Sequence, residues 1–292
     1  MKILVSYSGG KDSQACLIWS VKKYGAENIE AVFCDTGWEN PITYKHIFDT
    51  CEDLNVKLVT VKSKKYEGMV DMAKKKGRFA SSKARFCTIE LKTKPMIDYV
   101  LKQKEHMLII QGIRGNESAS RSRMKAQCTF FKYYFEPYND KGKTFTYRKK
   151  EIKEFVAKYA DDILRPVFDW TGQEVIDYIV TNGQEPNDLY KQGFKRVGCF
   201  PCFMSAHQEV HELIKRYPKR YNEIVKIEKK VGSSFFKIDS IPKRFQTGLD
   251  EKTGKTFTTA TDLRKYLTEK NLTLDMFQEE AISCSSFYHL CE

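Results

Sequence analysis

No apolar run in this 292-residue chain approaches the roughly 20 residues that a helix needs to cross a bilayer. A membrane-spanning role is therefore not expected. The opening "MKILVSYSGG" reads directly into a strand instead of a signal-peptide pattern, so a cytoplasmic protein is expected. Internal repeats and low-complexity tracts are lacking, which sets aside solenoids and extended linkers. Hydrophobic residues make up 41%, enough for a packed core and too many for a disordered chain. Paired cysteines are scarce as well. Of nine cysteines, only Cys199 and Cys202 stand in a C-x-x-C. Nine cysteines in a chain expected to be cytoplasmic argue against a disulfide framework, and metal, redox or catalytic use is the sharper reading.

Acidic charge is in deficit. Lysine and arginine total 50 against 38 acids, a net charge of +12. Residues 62–94 hold 11 basic and 3 acidic residues, and residues 114–150 hold 10 and 3, so the remainder is slightly acidic. Two concentrated basic segments suit a polyanionic ligand, either nucleic acid or a nucleotide alone. Phe130, Phe131, Tyr133 and Tyr134 lie in the second segment and are the aromatics best placed in sequence to stack on bases. Trp38, Trp170 and the pair at 235–236 read as packing residues, and Cys16, Cys34 and Cys51 as core.

What is present alternates. "KILVSYS", "IEAVFCDTG", "VKLVTVK" and "HMLIIQGIR" read as strands, separated by helical patterns over 12–24, 41–54, 66–76 and 88–104. Apolar strands alternating with helices predict an α/β fold with a doubly wound parallel sheet covered on both faces. Further on, helices are expected over 171–182, with Thr171 as N-cap, over 206–231, and over 261–270. The main domain is expected over residues 1–231, with 232–292 a partly helical, cysteine-containing extension packed back onto it.

The first strand runs into "SGGKDS", Ser8 to Ser13. Gly9 and Gly10 let backbone N–H groups approach anionic oxygens, and the following helix contributes its positive end. Ser8 and Ser13 add hydroxyls, Lys11 a charge, and Asp12 a carboxylate able to orient the loop or help hold Mg²⁺. The pattern is neither G-x-x-x-x-G-K-S/T nor the dinucleotide fingerprint.

"SGGKDS" resembles the PP-loop of N-type ATP pyrophosphatases, and within that superfamily the chain resembles the phosphoadenosine phosphosulfate (PAPS) reductase family. The likeness runs over about residues 1–230. It is carried in order by "SGGKDS", "FCDTGWENPIT", "RFCTIELKTKP", "GIRGNESASR" and "PVFDWTGQEVIDYI" with "NDLYKQGFKRVGCFPC". The resemblance implies an adenine nucleotide at the carboxyl ends of the parallel strands. Ser8, Gly9, Gly10, Lys11, Asp12 and Ser13 would hold phosphates, and Asp35, Thr36 and Gly37 would line the same crevice. Lys92, Arg114, Glu117, Ser118 and Arg121 would lie around the phosphates or second substrate; Lys11, Asp12 and Arg114 would carry the chemistry.

The family contains two chemistries. Its reductases attack a sulfated adenosine nucleotide with a cysteine thiolate from a C-terminal Glu–Cys–Gly–Ile/Leu–His motif, and typically lack the full loop. Relatives that split ATP keep the loop. Here the loop is complete and the chain ends "SCSSFYHLCE", without the motif. Both departures favour ATP, with Mg²⁺, cleaved between its α and β phosphates to adenylylate an acceptor in sulfur transfer or nucleic-acid modification. Sulfur-donor or modification-system proteins would then be partners. A sulfonucleotide reductase releasing sulfite and a non-catalytic nucleotide-sensing or nucleic-acid-binding module are the alternatives.

"GCFPC" sits where relatives place cluster ligands. Either Cys87 joins Cys199 and Cys202, or Cys284 and Cys291 return from the extension to complete a four-thiolate site. A 4Fe–4S cluster is the expected group, with zinc, finished by His207, as the alternative.

Overall fold

The structure, a computed structural model, describes residues 1–82, 84–250 and 253–275. Its main sheet has six strands: β1 (Lys2–Ser6), β2 (Ile29–Cys34), β3 (Lys57–Val61), β4 (Met107–Gln111), β5 (Gln127–Thr129) and β6 (Asp161–Leu164), in the order β3-β2-β1-β4-β6-β5. All neighbours run parallel except β5 and β6. Ile3, Leu4 and Val5 of β1 are all buried, as are five residues of β2, so these central strands bury both faces. The chain steps from β1 to β2 and β3 on one side, then returns to pair β4 with the other side of β1. That reversal opens a crevice outside the carboxyl ends of β1 and β4, where doubly wound sheets bind ligands.

Helices α1 (Lys11–Tyr24), α2 (Pro41–Asp53), α3 (Met69–Lys76) and α4 (Lys94–Gln103) form in the expected places. A one-turn helix, Phe86–Thr88, and a π-helical turn, Ile89–Thr93, lead without a break into α4. Farther along come α5 (Lys149–Val156) and α6 (Gly172–Thr181), the latter packed against α1. Thr171 caps α6 as expected and completes a capping box with Glu174. Thr171→Ala is expected to cost about 1 kcal/mol, read as a lowered thermal midpoint with nucleotide binding unchanged.

Three expectations need correction. The helix predicted over 206–231 is two helices, α7 (His207–Arg216) and α8 (Pro218–Val231). Pro218 lacks an N–H and forces Tyr217 out of the helical region, to φ −129° and ψ 54°. Strands β5 and β6 were not expected, because "QCT" and "DDIL" offer almost no apolar run. Their order comes from long-range bonds: the Phe131 N–H donates to the buried Asp161 carboxylate at 2.7 Å. Burial pushes that carboxyl up to about 6 despite the backbone donors. Finally, Phe131 and Tyr134 are core residues and cannot serve as base-stacking platforms.

After α8 the chain forms a small hairpin, β7 (Gly248–Asp250) with β8 (Lys255–Phe257), and then α9 (Ala260–Asp275). Phe235, Phe236, Ile241, Leu263 and Leu267 share one buried cluster with Trp38, Phe200 and Tyr221. Glu228 on α8 ties the two parts, accepting from the Phe235 N–H at 2.5 Å and the Ala260 N–H at 2.7 Å. Among the described residues no helix is long and apolar enough to cross a membrane.

Candidate functional site

The glycine loop joins β1 to α1 at the crevice. Gly9 adopts φ +73°, and a Cβ there would come within 2.9 Å of Ile47, so glycine is required on both counts. The 14-residue α1 begins at Lys11 with no side-chain cap on its N-terminal end, which leaves that end suited to an anion. The Ser13 hydroxyl donates to the Gly10 carbonyl at 2.9 Å and accepts from the Ser8 N–H at 3.3 Å. Two residues from far along the chain fix the loop's backbone. The Tyr190 hydroxyl accepts from the Lys11 N–H at 3.0 Å, and the Asn187 amide donates to the Gly9 carbonyl at 3.2 Å. Neither was singled out by itself in sequence; the signal was the motif "NDLYKQGFKRVGCFPC", which carries both and belongs to the family resemblance.

Charge is organised around Asp12. Its Oδ1 receives the Lys11 ammonium at 2.9 Å and the Arg114 Nε at 2.8 Å, and both cations are buried. Arg114 also donates to Asn116 at 2.8 Å. Arg114 lies just past β4, and Gly112 explains how it gets there. A Cβ at 112 would fall 2.4 Å from the Ser13 nitrogen and 2.6 Å from the Asp12 carbonyl oxygen, so only glycine lets the end of β4 lie on the first turn of α1. Glu117, Ser118 and Arg121 follow in a short turn and one-turn helix, with Glu117 and Arg121 ion-paired and Ser118 capping that helix. Burial lowers the Arg121 pKa, Asp12 opposes that, and Arg196, Arg85 and Arg114 lower it further. Arg121 thus sits in a field of positive charge suited to phosphate or sulfate oxygens.

At the end of β2, Asp35 accepts from the Gly37 N–H at 2.8 Å, the Tyr44 hydroxyl at 2.7 Å and the Lys62 ammonium at 2.7 Å. Burial alone would raise its pKa; these donors hold it below the ordinary carboxylate value. Thr36 donates to Glu39 at 2.6 Å and lies 3.5 Å from Cys199 Sγ. Glu39, buried and unremarked in sequence, also accepts from the Trp38 N–H and the Tyr44 hydroxyl. Beside the loop opens a cavity of about 630 Å³, reached by Ser8, Cys34, Glu39, Lys92, Gln111 and Gly198 among others. Cys34 therefore lines a cavity, while Cys16 and Cys51 are core as expected.

The cysteines are only partly brought together. Burial raises the Cys87 pKa, and Cys199 and Cys202 lie near enough to raise it further. Lys92 stands among them, its pKa raised by Cys199 first, then Glu39, Cys34 and Cys202. Among the described residues, however, no group of three or more His, Cys, Asp or Glu side chains is gathered to hold an ion. His207 heads α7 with its ring 6.2 Å from that of Tyr266. Cys284 and Cys291 lie outside the described residues. Among the described residues Cys87, Cys199 and Cys202 do not make a ligand shell for a cluster or zinc. Mg²⁺ is different: one carboxylate, Asp12, beside a phosphate-binding loop matches an ion that takes most of its ligands from phosphate and water.

The profile of the phosphoadenosine phosphosulfate reductase domain matches residues 2–205. A 37.8 kDa protein of Escherichia phage 186 is 26% identical, over 85% of this chain and 82% of its own length. A protein of Methanocaldococcus jannaschii is 27% identical over 79% of this chain, which spans about half, 48%, of that relative. Adenosine 5′-phosphosulfate reductase of Neisseria meningitidis is 45% identical over a 49-residue stretch, 17% of this chain and 20% of its own. Among solved structures, phosphoadenylyl-sulfate reductase from Candida auris aligns at 16% identity and TM-score 0.46, over 69% of this chain and 82% of its own. The U34-tRNA thiolase of Methanococcus maripaludis, solved with its 4Fe–4S cluster, aligns at 16% and 0.44, over 79% and 72%. The glycine loop, the strand order and the profile match over most of the chain agree: this chain belongs to the phosphoadenosine phosphosulfate reductase domain family.

Proposed function

We propose that the chain binds ATP at Ser8–Ser13 and splits it between the α and β phosphates, transferring AMP to an acceptor. The observation that carries this reading is the complete loop, with buried Lys11 and Arg114 converging on Asp12 at the mouth of the crevice. A substrate oxygen attacks the α-phosphorus and pyrophosphate leaves, so the protein's work is placing the phosphates and neutralising charge as it builds on them. Lys11 and Arg114 supply the positive charge, while Asp12 holds both side chains toward the loop. A bound Mg²⁺ would neutralise phosphate charge and orient the leaving group, with Asp12 as the protein's contribution. Nucleic acid as acceptor, and sulfur-donor proteins as partners, belong to the same reading, although many basic residues of the two segments are spent locally, as in Lys64 with Asp98 and Arg148 with Asp98 and Glu151.

The test is pyrophosphate release and ATP–pyrophosphate exchange across a panel of acceptors. Lys11→Ala and Arg114→Ala are each expected to lower exchange by about 10²–10³-fold. Full-rate exchange in both variants would sink the reading. Sulfonucleotide reduction has one observation in its favour, the short stretch shared with the Neisseria reductase. It predicts thiol-dependent sulfite release from a sulfated adenosine nucleotide, and the same preparations report on it. An iron–sulfur cluster is tested by purifying the full chain without oxygen: a brown protein with broad visible absorption supports it, and a colourless, iron-free one does not.

A further inference from the structure

The cavity beside the loop holds a charge that the loop does not use. Arg165 follows β6 and is only 7% exposed. Its backbone N–H bonds the Ala126 carbonyl where β5 meets β6, which fixes the residue at the sheet's edge. One terminal nitrogen donates to the Lys125 carbonyl and lies 3.5 Å from Cys128 Sγ; the other donates to Gln111 Oε1 at 3.0 Å. None of these partners is an acid, and its buried Nε has no hydrogen-bond partner. Among the described residues no carboxylate pairs with it. A buried guanidinium without a counter-charge is costly unless an anion from outside completes it.

The walls around Arg165 share its character. Arg85, Lys92, Arg123, Lys125 and Lys132 line the same cavity, whereas Glu39 is the carboxylate described there and is already engaged by Thr36, Trp38 and Tyr44. Flat rings complete the lining: Phe130, Tyr133, Tyr138 and Phe145, with Tyr138 stacked on Phe145 at 4.9 Å and itself 44% exposed. Cations interleaved with accessible rings suit a ligand that carries both a phosphate and a base.

Resting on the adenylylation reading above, we propose that this end of the cavity is the acceptor subsite and that the acceptor is a nucleoside phosphate, its phosphate held by Arg165 and its base set against Tyr133 and Tyr138. Either a free nucleotide or a nucleotide within a single strand offers that chemistry. The probes are uridine monophosphate and a short single-stranded RNA, titrated into full-length protein already saturated with a non-hydrolysable ATP analogue. Binding of either supports the subsite: the mononucleotide assigns a free nucleotide, and binding of the strand alone assigns nucleic acid. Loss of one charge-assisted contact in Arg165→Gln is expected to weaken the probe by about tenfold or more, with partial recovery in Arg165→Lys. Affinity for the ATP analogue should stay within about twofold. Arg123→Gln and Lys125→Gln, both at exposed positions, are each expected to weaken the probe about threefold and to flatten its salt dependence. The subsite is overturned if neither probe binds, if Arg165→Gln binds like the parent, or if probe and ATP analogue weaken together. Probe binding without pyrophosphate exchange would instead sink the adenylylation reading while leaving a nucleoside-phosphate site in place.

Discussion

Gly112→Ala is expected to abolish ATP-dependent stabilisation of the protein and to cost about 3 kcal/mol or more of folding stability. The added methyl group would lie 2.4 Å from the Ser13 nitrogen, 2.5 Å from the Asp12 carbonyl carbon and 2.6 Å from its oxygen. All three are backbone atoms, so no side chain can turn aside. Either the end of β4 lifts or the first turn of α1 shifts, and both movements part Arg114 from Asp12. Gly10→Ala is the matched comparison. Its methyl would come no closer than 3.4 Å, to the Tyr190 hydroxyl, so the fold should tolerate it. Any loss of nucleotide there reports a methyl group in the way of the phosphates. Thermal melts with and without ATP separate the two. An unchanged ATP-induced shift in Gly112→Ala would show that the contact between β4 and α1 does not shape the loop.

Glu228→Ala should destabilise the fold by about 2–4 kcal/mol, because it strands two buried N–H groups, those of Phe235 and Ala260. Burial drives the Glu228 carboxyl up to about 7, only partly offset by those two donors. The sign follows from linkage. A carboxyl whose pKa is higher folded than unfolded favours the fold fully at pH below its ordinary glutamate value, and that contribution fades as pH rises through about 7. The parent should therefore lose stability between about pH 4.5 and 7 from this group, and Glu228→Gln should remove that slope whatever its absolute stability. Parallel melts of both proteins across this range check it. Identical slopes would mean the carboxyl is not held neutral.

The central sheet and the glycine loop were legible because local chemistry dictates them. Runs such as "KILVS" have no polar face to present, and a glycine pair after such a strand has few structural uses. Strands β5 and β6 were illegible for the opposite reason. Their order depends on Asp161 and on bonds across more than thirty positions, such as Phe130 to Asp161. Tyr190, Asn187 and Glu39 were missed alike, since a tyrosine or glutamate acquires its role from what folds against it. Within the aromatic set at 130–134, Phe131 and Tyr134 turn into the core and Phe130 and Tyr133 stay half-buried, a division that the run of rings by itself does not announce. Pro218 was the one overlooked local signal, because the apolar spacing continues through it.

The bonds from Tyr190 to Lys11 and from Asn187 to Gly9 span 179 and 178 residues of chain. Contacts so distant form late, since a long loop must close before they offer any gain. During synthesis the first four strands can pair as they emerge, but the glycine loop stays unbraced until residues near 190 arrive. The nascent chain would thus pass through a stage with its sheet built and its nucleotide grip incomplete. Under the adenylylation reading, nucleotide grip is acquired late on the ribosome, and a chain truncated before Asn187 is expected to show no ATP-induced shift in its thermal melt.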